Sequence, residues 1–143
     1  MLAQPTLETL IEANTSYYRT FETLDIDALI SFWEVSDRVY CVHPGWNPLS
    51  NYEKIIASWK RILGNTTDIH FTLSNVHAYL ADNVGVVTLV ENIRTKIGHE
   101  QHTAASATTN LFGFDLTSGL WKIFHHHASN AIPNPNPPPD RLN

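Results

Sequence analysis

Three consecutive histidines, His125-His126-His127, stand near the end of the chain, and a carboxylate, Glu91, lies in the middle of an apolar stretch upstream. Imidazole changes charge close to neutral pH, and a carboxyl approaches that range when burial raises its pKa, so these residue types suit general acid/base work. In an extended strand the period of two sends His125 and His127 to the face of Trp121 and Ile123, and His126 to the opposite face with Phe124. That alternation nominates His125, His127 and Glu91 as catalytic candidates. Glu91 shares the parity of Val87, Leu89 and Ile93, which predicts an apolar face; the competing placement is a subunit interface or an ion pair with Arg94 or Lys96.

A second group consists of Tyr40, His43, Trp46 and Trp59. Rings supply contact area while a phenol or imidazole tip fixes orientation, so such a wall suits a small planar ligand. Asn110 adds a donor and an acceptor. Aromatic residues at helical spacing also build cores, the plainer reading for Trp33 and Trp59, whereas Trp46 in a Gly/Pro loop belongs at a rim. Cys41 reads as a small buried hydrophobe. Zinc would need a third ligand beside His125 and His127, for which His43 is the candidate; with no Cys-x-x-Cys or His-Glu-x-x-His spacing, no metal is expected. Gly-x-Ser-x-Gly, Gly-x-Gly-x-x-Gly and Walker-type loops are also lacking, and no cofactor is expected.

The elements that must carry these residues follow from periodicity. Apolar residues at helical spacing predict a first helix over 7–24, a second from the Asp25 N-cap to about Glu34, and a third that begins at a Ser50 to Glu53 capping box and stops at Gly64. Alternation predicts a short strand over 38–43 and long strands over 69–80, 84–96, 102–115 and 120–128, joined as hairpins. The apolar phase slips between Leu73 and Val76, which predicts a bulge near Ser74-Asn75. Five prolines after Asn130 predict an extended tail or a strap across a partner subunit, unable to continue a sheet ladder.

With 143 residues the chain fits one domain. A net charge of -5 and no Lys/Arg run argue against nucleic acid as a partner. No apolar run reaches the roughly 20 residues that span a bilayer, so no membrane partner is expected. One cysteine and no leader-like N-terminus predict a cytoplasmic protein.

The order helix, helix, short strand, helix and four long strands resembles the nuclear transport factor 2-like superfamily. Two stretches are similar to its SnoaL-like branch: Cys41-Val42-His43-Pro44-Gly45-Trp46 leading to the helix with Trp59, and Trp121-Lys122-Ile123-Phe124-His125-His126-His127-Ala128-Ser129. The resemblance implies an α+β, cone-shaped fold with three N-terminal helices packed on a strongly curved antiparallel sheet. It places the domain at residues 1–129 and the Pro-rich tail at 130–143. It also implies a pocket for a small apolar or cyclic molecule, and a homodimer formed through the outer sheet face. Enzymatic relatives place an aspartate or an Asp-His pair in the cone; here every aspartate falls at a predicted helix start, a turn or the tail, so that dyad has no counterpart. Two functional readings follow: a small-molecule-binding protein, extending to a cofactor-free acid/base isomerase, cyclase or dehydratase, and a non-catalytic homodimeric association module.

Overall fold

In the computed structural model, which describes residues 4–134, 136 and 137, helix α1 (Leu7–Glu22) starts at a capping box of Thr6 and Thr9. The short α2 (Ile26–Ile30) starts at Asp25, whose side chain accepts from Ala28 N–H. Strand β1 (Tyr40–Val42) precedes α3 (Tyr52–Gly64). The cap of α3 is Asn51, accepting from Lys54 N–H, rather than the expected Ser50. The second helix ends before the predicted Glu34, since Trp33 already bridges to Ile123 of the sheet.

The long strands are β2 (Asp68–Ala81), β3 (Val84–Ile97), β4 (Glu100–Asp115) and β5 (Leu120–Ala131). They pair antiparallel, and β1 joins β5 in parallel, giving the order β1-β5-β4-β3-β2. Asn130 and Ala131, assigned to the tail from sequence, still pair with Ser106 and Ala105. Of the proline-rich segment, Pro135 and residues 138–143 lie outside the described residues.

The expected strongly curved, cone-shaped sheet is not what forms: this sheet is open and neither closed nor strongly curled. Sharp curvature needs repeated bulges or glycine kinks. Here the ladder slips only in β2, between Ser74 and His77, and in β5, opposite Leu111 and Phe112, while β3 and β4 pair without a break from Val84–Gly113 to Ile97–Glu100.

The core lies between the helices and one sheet face. Leu10, Tyr17, Tyr18 and Phe21 of α1 and Ile55, Trp59 and Leu63 of α3 meet Phe71, Val87, Leu89, Phe112 and Ile123. Gly85 lets Leu10 lie directly on β3, where a Cβ would collide with its Cδ atoms. At Phe71 the outer edge of β2 is engaged from α1: Arg19 Nη2 donates to Phe71 O and Glu22 accepts from Phe71 N–H. On the other side of the sheet, Cys41 and Leu49 exchange backbone hydrogen bonds. Each edge is thereby engaged at one residue, Phe71 of β2 and Cys41 of β1.

Candidate functional site

The β5 bulge decides which histidine faces the core. Ile123 stands opposite Phe112, His125 opposite Leu111 and His126 opposite Asn110, so Phe124 is an extra residue. One extra residue inverts the faces beyond it. The alternation that puts Trp121 and Ile123 inward is correct, but its extension to His125 and His127 is not: His126 is the buried histidine, and its neighbours stand on the outer face. Phe124, turned outward, lies under the Arg38 guanidinium, 3.8 Å from the ring centroid, and Glu34 holds Arg38 at 2.7 and 2.6 Å.

On the inner face, strand register sets Glu91 beside Ser106 and Leu73. The Tyr18 hydroxyl, reaching down from α1, donates to Glu91 Oε2 at 2.6 Å. Asn110 Nδ2 donates to Tyr18 Oη at 3.1 Å and to Asn14 Oδ1 at 3.0 Å, and its Oδ1 lies 2.6 Å from His126 Nδ1. Because both Asn110 amide hydrogens are engaged elsewhere, Oδ1 must accept and His126 Nδ1 must donate. The result is a directed chain from His126 through Asn110 and Tyr18 to Glu91. Arg94, a partner considered for Glu91, is exposed on the other face.

Burial pushes the Glu91 carboxyl from 4.5 up to about 7, against the opposing pull of hydrogen bonds from Tyr18 and Thr108. Tyr18 is raised well above the usual phenol range, first by burial and then by the Glu91 charge. His126 is held down at about 3, chiefly by burial and then by the neighbouring histidines, and burial lowers His43 to about 4. This is an acid that titrates near neutrality beside two imidazoles that stay uncharged there.

The aromatic group divides. His43 and Trp59 are buried with ring centroids 4.6 Å apart, and His43 meets the half-exposed Trp46 at 4.8 Å, so one imidazole separates a surface ring from the interior. Tyr40 instead stacks on His125, 5.0 Å away and 15° from parallel, beyond reach of that cluster's face. His125, His127, Thr88 and Thr109 line a cleft of about 530 Å³ on the outer sheet surface. None of five clefts among the described residues is lined by Tyr18, Glu91, Asn110 or His126. Burial raises the Cys41 thiol, away from thiolate chemistry. Among the described residues no three His, Cys, Asp or Glu side chains are grouped to hold a metal ion, and no helix is long and apolar enough to cross a membrane.

Sequence reasoning missed Tyr18, Asn14 and His126. The signal for the first two is present: Leu10, Asn14 and Tyr18 recur every four residues, and a polar residue inside an apolar stripe asks for a buried partner. His126 carries no such signal, because a bulge leaves no distinct mark in an apolar and aromatic run.

A model of the SnoaL-like domain matches residues 10–134. The chain is 32% identical to a candidate dehydratase of the nuclear transport factor 2-like family from Streptomyces avermitilis, with a TM-score of 0.81 over 88% of this chain and 96% of that one. A candidate calcium/calmodulin-dependent protein kinase type II association domain from Thiobacillus denitrificans shares the fold at 24% identity and a TM-score of 0.72, covering 90% of this chain and 100% of the other. The F-box protein SKIP8 of Arabidopsis thaliana is 25% identical over 124 residues, 87% of this chain; the match spans about half of that protein, 50%.

Proposed function

The chain belongs to the SnoaL-like domain family, whose fold serves both small-molecule binding and association, and on that footing we propose that it binds a small apolar or cyclic carbonyl compound and moves protons on it. Glu91 is the proton acceptor and donor. Isomerisation, cyclisation and dehydration each require a proton to be taken from one atom and returned to another, work for a group with a pKa near the operating pH. The observation that supports this reading is the environment of Glu91. It is buried, is held by hydroxyls rather than by a cation, and titrates at about 7. Burying a carboxyl without a counter-charge is costly, and clusters of perturbed groups mark functional sites. Tyr18 and Asn110 orient the acid, and the Trp46–His43–Trp59 ring series supplies the apolar wall leading inward. His125, His127 and Tyr40 then belong to the outer surface rather than to this chemistry.

The test is proton exchange. A panel of cyclic ketones in deuterated buffer should show label entering beside the carbonyl, with a rate that rises through about pH 7. Glu91→Gln should slow it by about 100-fold or more. A panel that neither binds nor exchanges sinks the reading.

A second reading, the homodimeric association module, has its own support. The middle of the outer face carries Val86, Thr88, Val90, Ala107, Thr109 and Leu111 without a charged side chain. Depletion of charge characterises the centres of interfaces. Sedimentation that finds only monomer at micromolar concentration would remove this reading while leaving the first intact.

A further inference from the structure

We propose that the buried Trp59 indole N–H, flanked by the His43 and His126 rings, receives one neutral hydroxyl group, from an alcohol-bearing ligand or from water, and that this position discriminates against carboxylates and ammonium ions. It deepens the small-molecule reading by naming the group recognised.

The Ser58 hydroxyl donates its one hydrogen to Ile55 O at 2.6 Å, so the 2.8 Å contact with His43 must be donated by His43 Nε2. His43 Nδ1 is then an acceptor; the Cys41 sulfur lies 4.0 Å from it and 3.6 Å from Nε2. His126 Nδ1 donates to Asn110, which leaves its Nε2 as an acceptor too. The Trp59 indole and the two imidazoles form a triangle, with ring centroids 4.6 Å from Trp59 to His43, 5.7 Å from Trp59 to His126 and 6.4 Å between the imidazoles. Trp59 is 2% exposed, and among the described residues its Nε1–H has no hydrogen-bond partner. A buried donor in that condition calls for an acceptor or an ordered water.

An unpartnered donor whose ring touches two imidazoles, each left with an acceptor nitrogen, specifies the guest. A hydroxyl oxygen accepts from the indole N–H and donates to an imidazole nitrogen. A carboxylate cannot donate, and an ammonium cannot accept. Either ion would also enter a region whose imidazoles are uncharged, without a counter-charge to offset its desolvation.

The test uses the full chain labelled with nitrogen-15. The Trp59 indole signal is assigned by its loss in Trp59→Phe or, should that variant not fold, by through-space contacts to the Phe21 and His43 rings. Histidine tautomers are read on the unaltered protein. The expected pattern is His43 protonated on Nε2 and His126 on Nδ1. In plain buffer the Trp59 N–H should exchange magnetisation with a bound water. Benzyl alcohol should displace that water and shift the Trp59 and His126 Nε2 signals, binding about tenfold or more tighter than benzoate or benzylammonium. A bound water that benzyl alcohol does not displace supports the hydroxyl site with water as occupant, and leaves the small-molecule reading to its own exchange assay. The opposite tautomers, an indole N–H touching no oxygen in either condition, or benzoate binding as tightly as the alcohol would each overturn the proposal.

Discussion

His126 and its two neighbours have the same chemistry and meet different surroundings. His126 lies on the inner face, 3% exposed, with its Nδ1 proton committed to Asn110, and burial holds it uncharged down to about pH 3. His125 lies on the outer face, stacked on Tyr40, and His127 beside it is exposed. The inner face is a chain of mutually dependent hydrogen bonds, in which each side chain fixes the orientation of the next. The outer face is a set of separate contacts on a surface without charge at its centre. Changes on the inner face should therefore propagate, and changes on the outer face should stay local.

The most disruptive change should be Asn110→Ala, which strands His126 Nδ1, Tyr18 and Asn14 at once. A loss of about 4 kcal/mol in urea unfolding is expected. A loss below about 1 kcal/mol would show that the inner chain is not cooperative.

Next is pH. The folded pKa of Glu91, about 7, lies above its ordinary 4.5, so its favourable contribution is complete below 4.5 and is lost as pH rises through 7. The buried histidines act oppositely: their folded values of about 4 and about 3 lie below 6.5, so their contribution is complete above 6.5 and is lost as pH falls toward those values. The two slopes overlap between pH 4.5 and 6.5, where two histidines outweigh one acid, so stability should peak near 6.5. Glu91→Gln should remove the alkaline slope, gaining on the unaltered protein by on the order of 3 kcal/mol between pH 5 and 8 while losing proton exchange. Urea titrations at those two pH values measure this, and a pH-independent difference would contradict the buried-acid assignment.

Deleting Phe124 should cost less, about 1–2 kcal/mol, through the lost Arg38 contact and the changed strand twist. It should leave His126 inward, because removing the extra residue makes Ile123 and His126 regular same-face neighbours. His126 titrating near 6.5 in that variant would refute the bulge as the cause of the face inversion. The smallest effect is expected for His127→Ala, within about 0.5 kcal/mol of the unaltered protein in unfolding. If the outer face pairs with a second copy, the same substitution should still weaken self-association in sedimentation.

The element order, the helix start at Asp25, the slip in β2 and the parity that Glu91 shares with Val87 and Leu89 were legible in the sequence. Each depends on a few neighbouring residues: a cap, a turn or an alternation of apolar and polar side chains. The β2 slip was legible because the apolar phase itself moves, from Leu73 to Val76. In β5 the phase is masked, since Phe124 is as apolar as the residues it displaces, and its exterior position depends on the guanidinium of Arg38 covering it. The openness of the sheet depends on the long unbroken pairing of β3 with β4, which no single strand encodes. The partnership of Tyr18 with Glu91 joins residues 73 positions apart, and that of Asn14 with Asn110 spans 96. Only tertiary packing brings such groups together, and the burial it creates is the first cause that raises the acid and lowers the imidazoles.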